Sequence, residues 1–310
     1  MKNVHLKAYG KINLSLDVKG LTDDGFHLVE MIMQQILLCD EVDLKWREGD
    51  EPFSIKLKTN RPYLPVDERN LAYKAALMMR ETYAPDMRGS LEINIRKRIP
   101  VAAGLAGGSS NGAAVIHGLN VLWDLGLDME ELCAAGARLG SDVPFCIMGQ
   151  AAENPELKKI FDGDPLACHC ALATGTGTEL TPVKKGLRSH LVLSKPPISV
   201  STAEVYRGID NEEIPLRPDT DKLLEALEKN NRDSIRKNMV NVLENYTLKR
   251  YPIVVYTKNK VQSLCGEDGV LMSGSGPTVF GLCDSISQSR RVCEAMLREN
   301  RESFWTRTTF

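Results

Sequence analysis

The stretch Ile99–Asn111 (IPVAAGLAGGSSN) carries Gly104, Gly107 and Gly108 within five residues, and Ser109 and Ser110 follow. Glycine lets backbone N–H groups turn toward a ligand and approach it closely. A helix-compatible run follows from Asn111 to Leu125, with Ser109 or Ser110 expected as its cap. The donors and positive dipole of a helix start bind anions, and a nucleotide phosphate suits such a loop. The same glycines would also serve a plain strand-to-helix turn. Phosphoryl transfer further requires charge stabilisation and a group that orients or deprotonates the attacking hydroxyl. Asp142, beyond a helix end and just before Pro144, offers a carboxylate on an irregular loop. Lys11 offers a cation on a strand, and Ser273–Pro277 (SGSGP) offers a second glycine-serine loop. Each alone reads equally as a turn aspartate, a solvated lysine or an ordinary turn. Together they make a phosphotransfer constellation.

Three well-known phosphate-binding patterns are excluded. No lysine follows the glycines as in G-x-x-x-x-G-K-[ST], and the spacing is not G-x-G-x-x-G. The protein-kinase signatures H-R-D and D-F-G are missing.

The elements that must hold these residues follow from periodicity. Ile12, Leu14, Leu16 and Val18 alternate with Lys11, Asn13, Ser15 and Asp17, a half-buried strand whose polar face is expected to be wet. Asp23-Asp24-Gly25 makes a turn. An apolar run over Val29–Leu38, then Val42–Trp46 and Phe53–Lys58, are further strands. Leu71–Tyr83 is a helix capped by Asn70. Leu91, Ile93 and Ile95 form a strand leading into the glycine loop. Asp128 and Glu131 form a capping box for a helix reaching Leu139, followed by Gly140. Phe145–Met148 is expected as a short strand. Gln150–Cys170 is expected as a polar, exposed excursion with one helical turn at Pro155–Phe161. Beyond it, Leu191–Leu193, Val270–Met272 and Val279–Cys283 read as strands, and Asp219–Lys229, Asp233–Val242 and Ser287–Glu299 as helices. The expected domain boundary lies between Gly175 and Lys195.

The totals bound the class. The chain has 310 residues, 43% of them hydrophobic and 26% charged, with net charge −2. That balance suits a soluble globular protein with no field for nucleic acid or membrane partners. No apolar run is long enough to span a bilayer, and the start lacks the apolar core of an export signal. The eight cysteines are scattered; Cys39, Cys133, Cys146 and Cys265 read as small buried hydrophobes, and a reducing cytoplasmic compartment is expected. Cys168-His169-Cys170 lacks a second pair at ligand spacing, so no metal site is assigned.

VAAGLAGGSSN closely resembles the phosphate loop of the GHMP small-molecule kinases, P-x-x-x-G-L-x-G-S/G-S-[SA]. AYGKINLSLDV, DDGFH, LGSDVPF, ALATGTGTEL and LMSGSGPTVFGL are similar to one branch of that family, and the likeness runs from Tyr9 to about Leu282. Members of the branch phosphorylate the 2-hydroxyl of a cytidine-diphosphate-linked methylerythritol in the non-mevalonate route to isoprenoids. The resemblance implies an α+β, two-domain GHMP kinase fold. Its N-terminal domain (1–180) would be of the kind seen in the second domain of a small-subunit ribosomal protein. Its C-terminal α+β domain (181–310) would be ferredoxin-like. By the same resemblance, Asp142 is the catalytic base and Lys11 polarises the hydroxyl. Pro100, Val101, Ala102, Ala103, Gly104, Leu105, Ala106, Gly107, Gly108, Ser109 and Ser110 wrap the phosphates of ATP. Asn70, with the Arg96–Arg98 neighbourhood, walls the adenine side. Asn13 and His27 contact the cytidine diphosphate, Phe26 stacks on the cytosine, and Gly274, Ser275 and Thr278 line the methylerythritol side. ATP and Mg²⁺ are the implied cofactors, with no protein ligand assigned to the metal. A small-molecule partner and a monomer or weak homodimer are expected. The rival readings are a GHMP kinase for homoserine, mevalonate or a sugar, and a nucleotide-binding module of weakened activity. Three departures from the family pattern are Phe26 where tyrosine is commoner, Ala103 and Ala106 where glycine is common, and the extra segment Gln150–Cys170, expected as a passive surface loop.

Overall fold

The computed structural model describes residues 1–310. In chain order the first elements are β1 (Lys2–Leu21), β2 (His27–Glu48), β3 (Ser54–Thr59), α1 (Leu71–Tyr83), β4 (Gly89–Arg96), α2 (Gly107–Leu122), α3 (Met129–Ala137), α4 (Val143–Glu153) and α5 (Pro155–Ile160). They continue with β5 (Cys170–Thr174), β6 (Glu179–Pro182), β7 (His190–Lys195), α6 (Thr202–Ile209), α7 (Thr220–Glu228), α8 (Arg232–Asn238), α9 (Glu244–Arg250) and α10 (Pro252–Cys265). The last are β8 (Val270–Met272), β9 (Val279–Cys283), α11 (Ile286–Met296) and β10 (Glu302–Arg307). The chain forms two compact units whose segments alternate. One holds Met1–Gly10, Leu38–Ile99 and Ala106–Cys168; the other holds Lys11–Leu37, Pro100–Leu105 and His169–Phe310. β1 and β2 therefore contribute residues to both.

In the first unit, β4 pairs antiparallel with the second half of β2, from Glu41↔Arg96 to Glu48↔Gly89, and parallel with β3. Leu91, Ile93 and Ile95 point inward, as their alternation requires. α2 is apolar on nearly every side and is buried from Ser110 to Asn120. Its contact with the sheet is close: a Cβ at Gly118 would stand 2.1 Å from Leu44 Cδ1. α1 and α4 cover α2, and α3 packs on α4. Asn70 caps α1 by accepting from Ala72 N at 3.0 Å. Asp128 and Glu131 close the capping box of α3.

In the second unit, the first half of β2 pairs antiparallel with β5, and β5 pairs with β6. A four-stranded antiparallel sheet runs in the order β10-β7-β9-β8, with α10 and α11 packed on it. No helix is long and apolar enough to cross a membrane.

Several elements differ from the sequence expectation. The two strands expected over Val29–Leu38 and Val42–Trp46 are one strand of 22 residues, because no glycine or proline interrupts Cys39–Glu41 and Asp40 spends its carboxylate on buried partners rather than on a turn. The polar face of β1 is not wet: Lys11, Asn13, Ser15 and Asp17 are all buried and bonded within the chain. Alternation reports that two faces differ, not that one meets water. Phe145–Met148 is part of α4, with Pro144 in its first turn, where a missing N–H costs nothing. An apolar run buried all round cannot be assigned by period. Cys133 is only half-buried. The segment Gln150–Cys170 is not a passive excursion. Gln150 lies inside α4 and donates to Ser110 O at 2.8 Å, and Asn154 exchanges bonds of 2.9 and 3.0 Å with the Lys7 backbone. Leu157 is fully buried on α5, the helical turn expected there. Gln150 and Asn154 are spent on backbone groups of the core, while Glu156, Lys158, Lys159 and Asp162 are exposed as expected.

Candidate functional site

The glycine loop leaves β4 and enters α2 through alternating left-handed residues: Ala102 (φ 49°), Gly104 (φ 72°) and Ala106 (φ 56°). Alternation of this kind turns successive N–H groups to one side and forms an anion-binding concavity. Ala106 is the N-cap, and no side chain caps the helix. The expected serine cap is therefore absent. α2 starts at Gly107, two residues ahead of Ser109, and Ser110 Oγ donates instead to Tyr9 O at 2.7 Å. The first-turn N–H groups of Gly107 and Gly108 have no intrahelical acceptor by construction. No side chain caps them, and the positive end of the helix dipole lies at the same place.

Below this helix start lies a charged cluster that sequence reasoning did not find. Asp40, on β2 and fully buried, accepts from Arg98 N at 2.7 Å, Ile99 N at 2.8 Å and Asn111 Nδ2 at 2.9 Å. It also pairs with the buried Lys97 ammonium, which donates to Asn111 Oδ1 at 2.9 Å and Gly107 O at 3.3 Å. Burial pulls the pKa of Lys97 below its ordinary value, against the opposing attraction of Asp40. The sequence offered only a carboxylate directly after the apolar residues Ile36, Leu37, Leu38 and Cys39.

In the second unit, the first part of the loop meets the second glycine loop. Ser273 Oγ donates to Gly104 O at 2.9 Å, and a Cβ on Gly104 would stand 2.1 Å from Ser273 O. Only glycine allows this approach. Lys11 N donates to Leu105 O at 3.1 Å, and Lys11 Nζ donates to Asn13 Oδ1 at 2.8 Å. Gly274 lies beside the same amide: a Cβ there would be 3.5 Å from Asn13 Oδ1. Lys11, Asn13, Gly104 and Gly274 are thus gathered in one place. Ser275 Oγ pairs with Thr202 Oγ1 at 2.9 Å. The Thr278 hydroxyl is buried with no hydrogen-bond partner in the chain.

His27 opens β2 and forms a 2.9 Å contact through Nε2 with Asp210, at the end of α6. The Tyr206 ring lies 5.0 Å from its own. Neither Asp210 nor Tyr206 carries a local sequence signal, because both reach His27 across 180 residues of chain. Phe26 is 62% exposed in the preceding turn. Asp142 is half-buried at the N-cap position of α4, rather than on an irregular loop, and its side chain does not cap that helix. Asn70 differs from the other expected nucleotide-side residues, since its amide oxygen caps α1 and its Nδ2 donates to Pro65 O at 2.8 Å.

Comparison with known proteins places the chain. The GHMP kinases N terminal domain matches residues 70–150, and the GHMP kinases C terminal domain matches 223–302. A 4-diphosphocytidyl-2-C-methyl-D-erythritol kinase of Clostridium botulinum is 44% identical over 305 residues, covering 98% of this chain and 100% of its own. The chain belongs to the GHMP kinases. The enzyme of the same name from Geobacillus kaustophilus is 45% identical over 287 residues, covering 93% of this chain and 90% of its own. A crystal structure of 4-(cytidine 5'-diphospho)-2C-methyl-D-erythritol kinase superposes on this GHMP kinase with a TM-score of 0.78 at 28% identity, covering 99% of this chain and 100% of the other. Homoserine kinase from Cytophaga hutchinsonii shares the fold, with a TM-score of 0.69 at 18% identity, covering 100% and 95%. As a GHMP kinase the chain is an ATP-dependent small-molecule phosphotransferase of α+β fold.

Proposed function

We propose that this kinase transfers the γ-phosphoryl group of ATP to the 2-hydroxyl of 4-diphosphocytidyl-2-C-methyl-D-erythritol. The observation that carries the choice of substrate is 44% identity, over 98% of the chain, to an enzyme of that name. The family domains are proposed as 1–180 and 181–310. Asp142 accepts the hydroxyl proton as the oxygen attacks the γ-phosphorus, and Lys11 polarises that hydroxyl. The bond to the β,γ-bridging oxygen breaks, and ADP leaves with its electron pair. One positioned base contributes on the order of 10²–10⁴-fold in rate.

The residues present fit ATP. The uncapped start of α2, the left-handed alternation at Ala102–Ala106 and the glycine contact at Ser273 supply N–H donors and room for phosphate. Mg²⁺ is proposed to arrive on the nucleotide's phosphates, as it commonly does. No group of three or more His, Cys, Asp or Glu side chains is arranged to hold a metal, and no protein ligand is assigned. His27 and Asn13 are proposed to meet the cytidine diphosphate, Phe26 to stack on its base, and Gly274, Ser275 and Thr278 to border the polyol. The buried, unpartnered Thr278 hydroxyl supports a polar ligand there. A monomer or weak homodimer in the cytoplasm is part of the same proposal.

The test is ADP release with this substrate, run beside homoserine, mevalonate and sugars, on the wild-type chain and Asp142→Ala. Turnover on the cytidine-diphosphate polyol alone is expected, with Asp142→Ala losing nearly all of it while still binding ATP. Turnover on another alcohol with none on this one would overturn the substrate. A tenth of wild-type turnover left in Asp142→Ala would overturn the base.

A further inference from the structure

The Asp40 cluster sits under the helix start, yet no step of the proposed reaction uses it. Burying an ion pair gains little stability, and apolar residues of the same volume often do as well or better. A pair kept in such a place is therefore suited to fixing geometry. One oxygen of Asp40 holds the N–H groups of Arg98 and Ile99, where β4 gives way to the loop. The other holds Asn111 in the second turn of α2, and Lys97. Lys97 in turn grips Gly107 O, in the first turn of α2. Gly107 rests directly on this cluster, since a Cβ there would come 3.2 Å from Lys97 Nζ and 2.9 Å from Ile99 Cγ2. Strand end, loop entry and helix start are thus tied to a single carboxylate.

We propose that Asp40 is a positioning residue for nucleotide phosphate, acting through Lys97, Asn111 and the Arg98-Ile99 backbone to aim the Gly107 and Gly108 N–H groups. The role rests on the reading of the loop as an ATP site. Neutralising Asp40 leaves the Lys97 ammonium buried without its counter-charge. Lys97 then moves or deprotonates, and its contacts with Gly107 O in the first turn of α2 and Asn111 in the second move with it.

The experiment measures ATP and adenosine affinity by competition with a fluorescent ATP analogue, for wild type and Asp40→Asn. Adenosine shares base and ribose but carries no phosphate. Asp40→Asn is expected to bind ATP at least tenfold more weakly, a loss at least fivefold larger than any loss of adenosine, whose base would neighbour Arg96–Arg98. A purely structural role would weaken both alike, and that result overturns the proposal, as does ATP binding unchanged within twofold. Should Asp40→Asn fail to fold, Asn111→Ala decides on the same criteria, since it removes a donor and an acceptor of the cluster without stranding a charge. Its expected loss is threefold or more, for ATP only. A wild-type chain that binds no ATP would overturn the proposed function itself. ATP binding by wild type and Asp40→Asn alike would overturn the role of Asp40 alone.

Discussion

Replacing Gly104 with alanine tests the contact between the two glycine loops most directly. Two costs are combined. The left-handed backbone (φ 72°) costs an alanine about 1–2 kcal/mol. The stiffer unfolded chain returns roughly 0.4–1 kcal/mol of that. The second cost is steric: the new Cβ stands 2.1 Å from Ser273 O, a backbone atom that cannot rotate away. Forced overpacking adds about 1–3 kcal/mol. Gly163 provides the control. Its φ of 77° is nearly the same, and a Cβ there meets nothing within 4 Å. Gly163→Ala therefore carries the backbone cost alone, about 1 kcal/mol or less after the unfolded-state gain. Gly104→Ala should lose about 2–4 kcal/mol in all. Urea unfolding with unchanged m-values reads the difference as a shift in midpoint. The KM for ATP should rise for Gly104→Ala and stay put for Gly163→Ala. If the two variants unfold at the same urea concentration, and the KM for ATP is the same in both, the loop contact does not constrain the site.

The remaining predictions concern the helix behind the loop. His117 is fully buried on α2 and donates from Nε2 to Ile147 O at 3.0 Å, which leaves Nδ1 without a partner. Burial lowers its pKa from 6.5 to about 4, so the folded chain holds it neutral where the unfolded chain is protonated. Stability should be full above about pH 6.5 and fall by up to about 3 kcal/mol as pH drops toward 4. His117→Gln should flatten that part of the urea-midpoint profile against pH, and an unchanged slope would refute the assignment. Ala106→Gly removes the left-handed penalty at the N-cap of α2 and should be neutral or stabilising by about 1 kcal/mol or less, again read by urea unfolding. A loss of more than that would show that the Ala106 methyl packs productively.

Much of this architecture was legible because its signals are local. Asn70 before Leu71, and Asp128 with Glu131, mark helix starts through bonds of two or three residues' reach, and both caps are present. Leu91, Ile93 and Ile95 mark β4 by alternation alone. What escaped was set by distant partners. α6, α9, α10 and β10 went unassigned because their short or mixed patterns gain meaning only against partners far away in the chain: α6 packs on α9, α10 on β9, and β10 pairs with β7. The apolar start of α4 carries no period, since all its sides are buried. Ser110 appeared free to cap its helix until Tyr9 O claimed its hydroxyl. Of the site, the glycine loops, Lys11 and Asp142 could be read as motifs. Asp40, Lys97, Tyr206 and Asp210 could not, because each matters through a residue far away in the chain.

The alternation of segments between the two units bears on synthesis. Every residue of the first unit has been made once Cys168 is added, so its core can close early. The second unit cannot. Lys11–Leu37 belongs to it, yet one edge of that stretch is completed only by Thr308 and Thr309, through the bridge to Ile36 and the bond to Gln35 O. At ribosomal speeds the gap is on the order of ten seconds. Throughout it, a strand containing Met31, Ile32, Met33 and Ile36, all buried in the finished fold, lacks its final cover. Met31–Gln34 can pair with β5 once Cys170–Ala173 are made, so what waits for Thr308 and Thr309 is the edge at Gln35 and Ile36. An edge left open for that long is a site at which another chain can pair before the fold is complete.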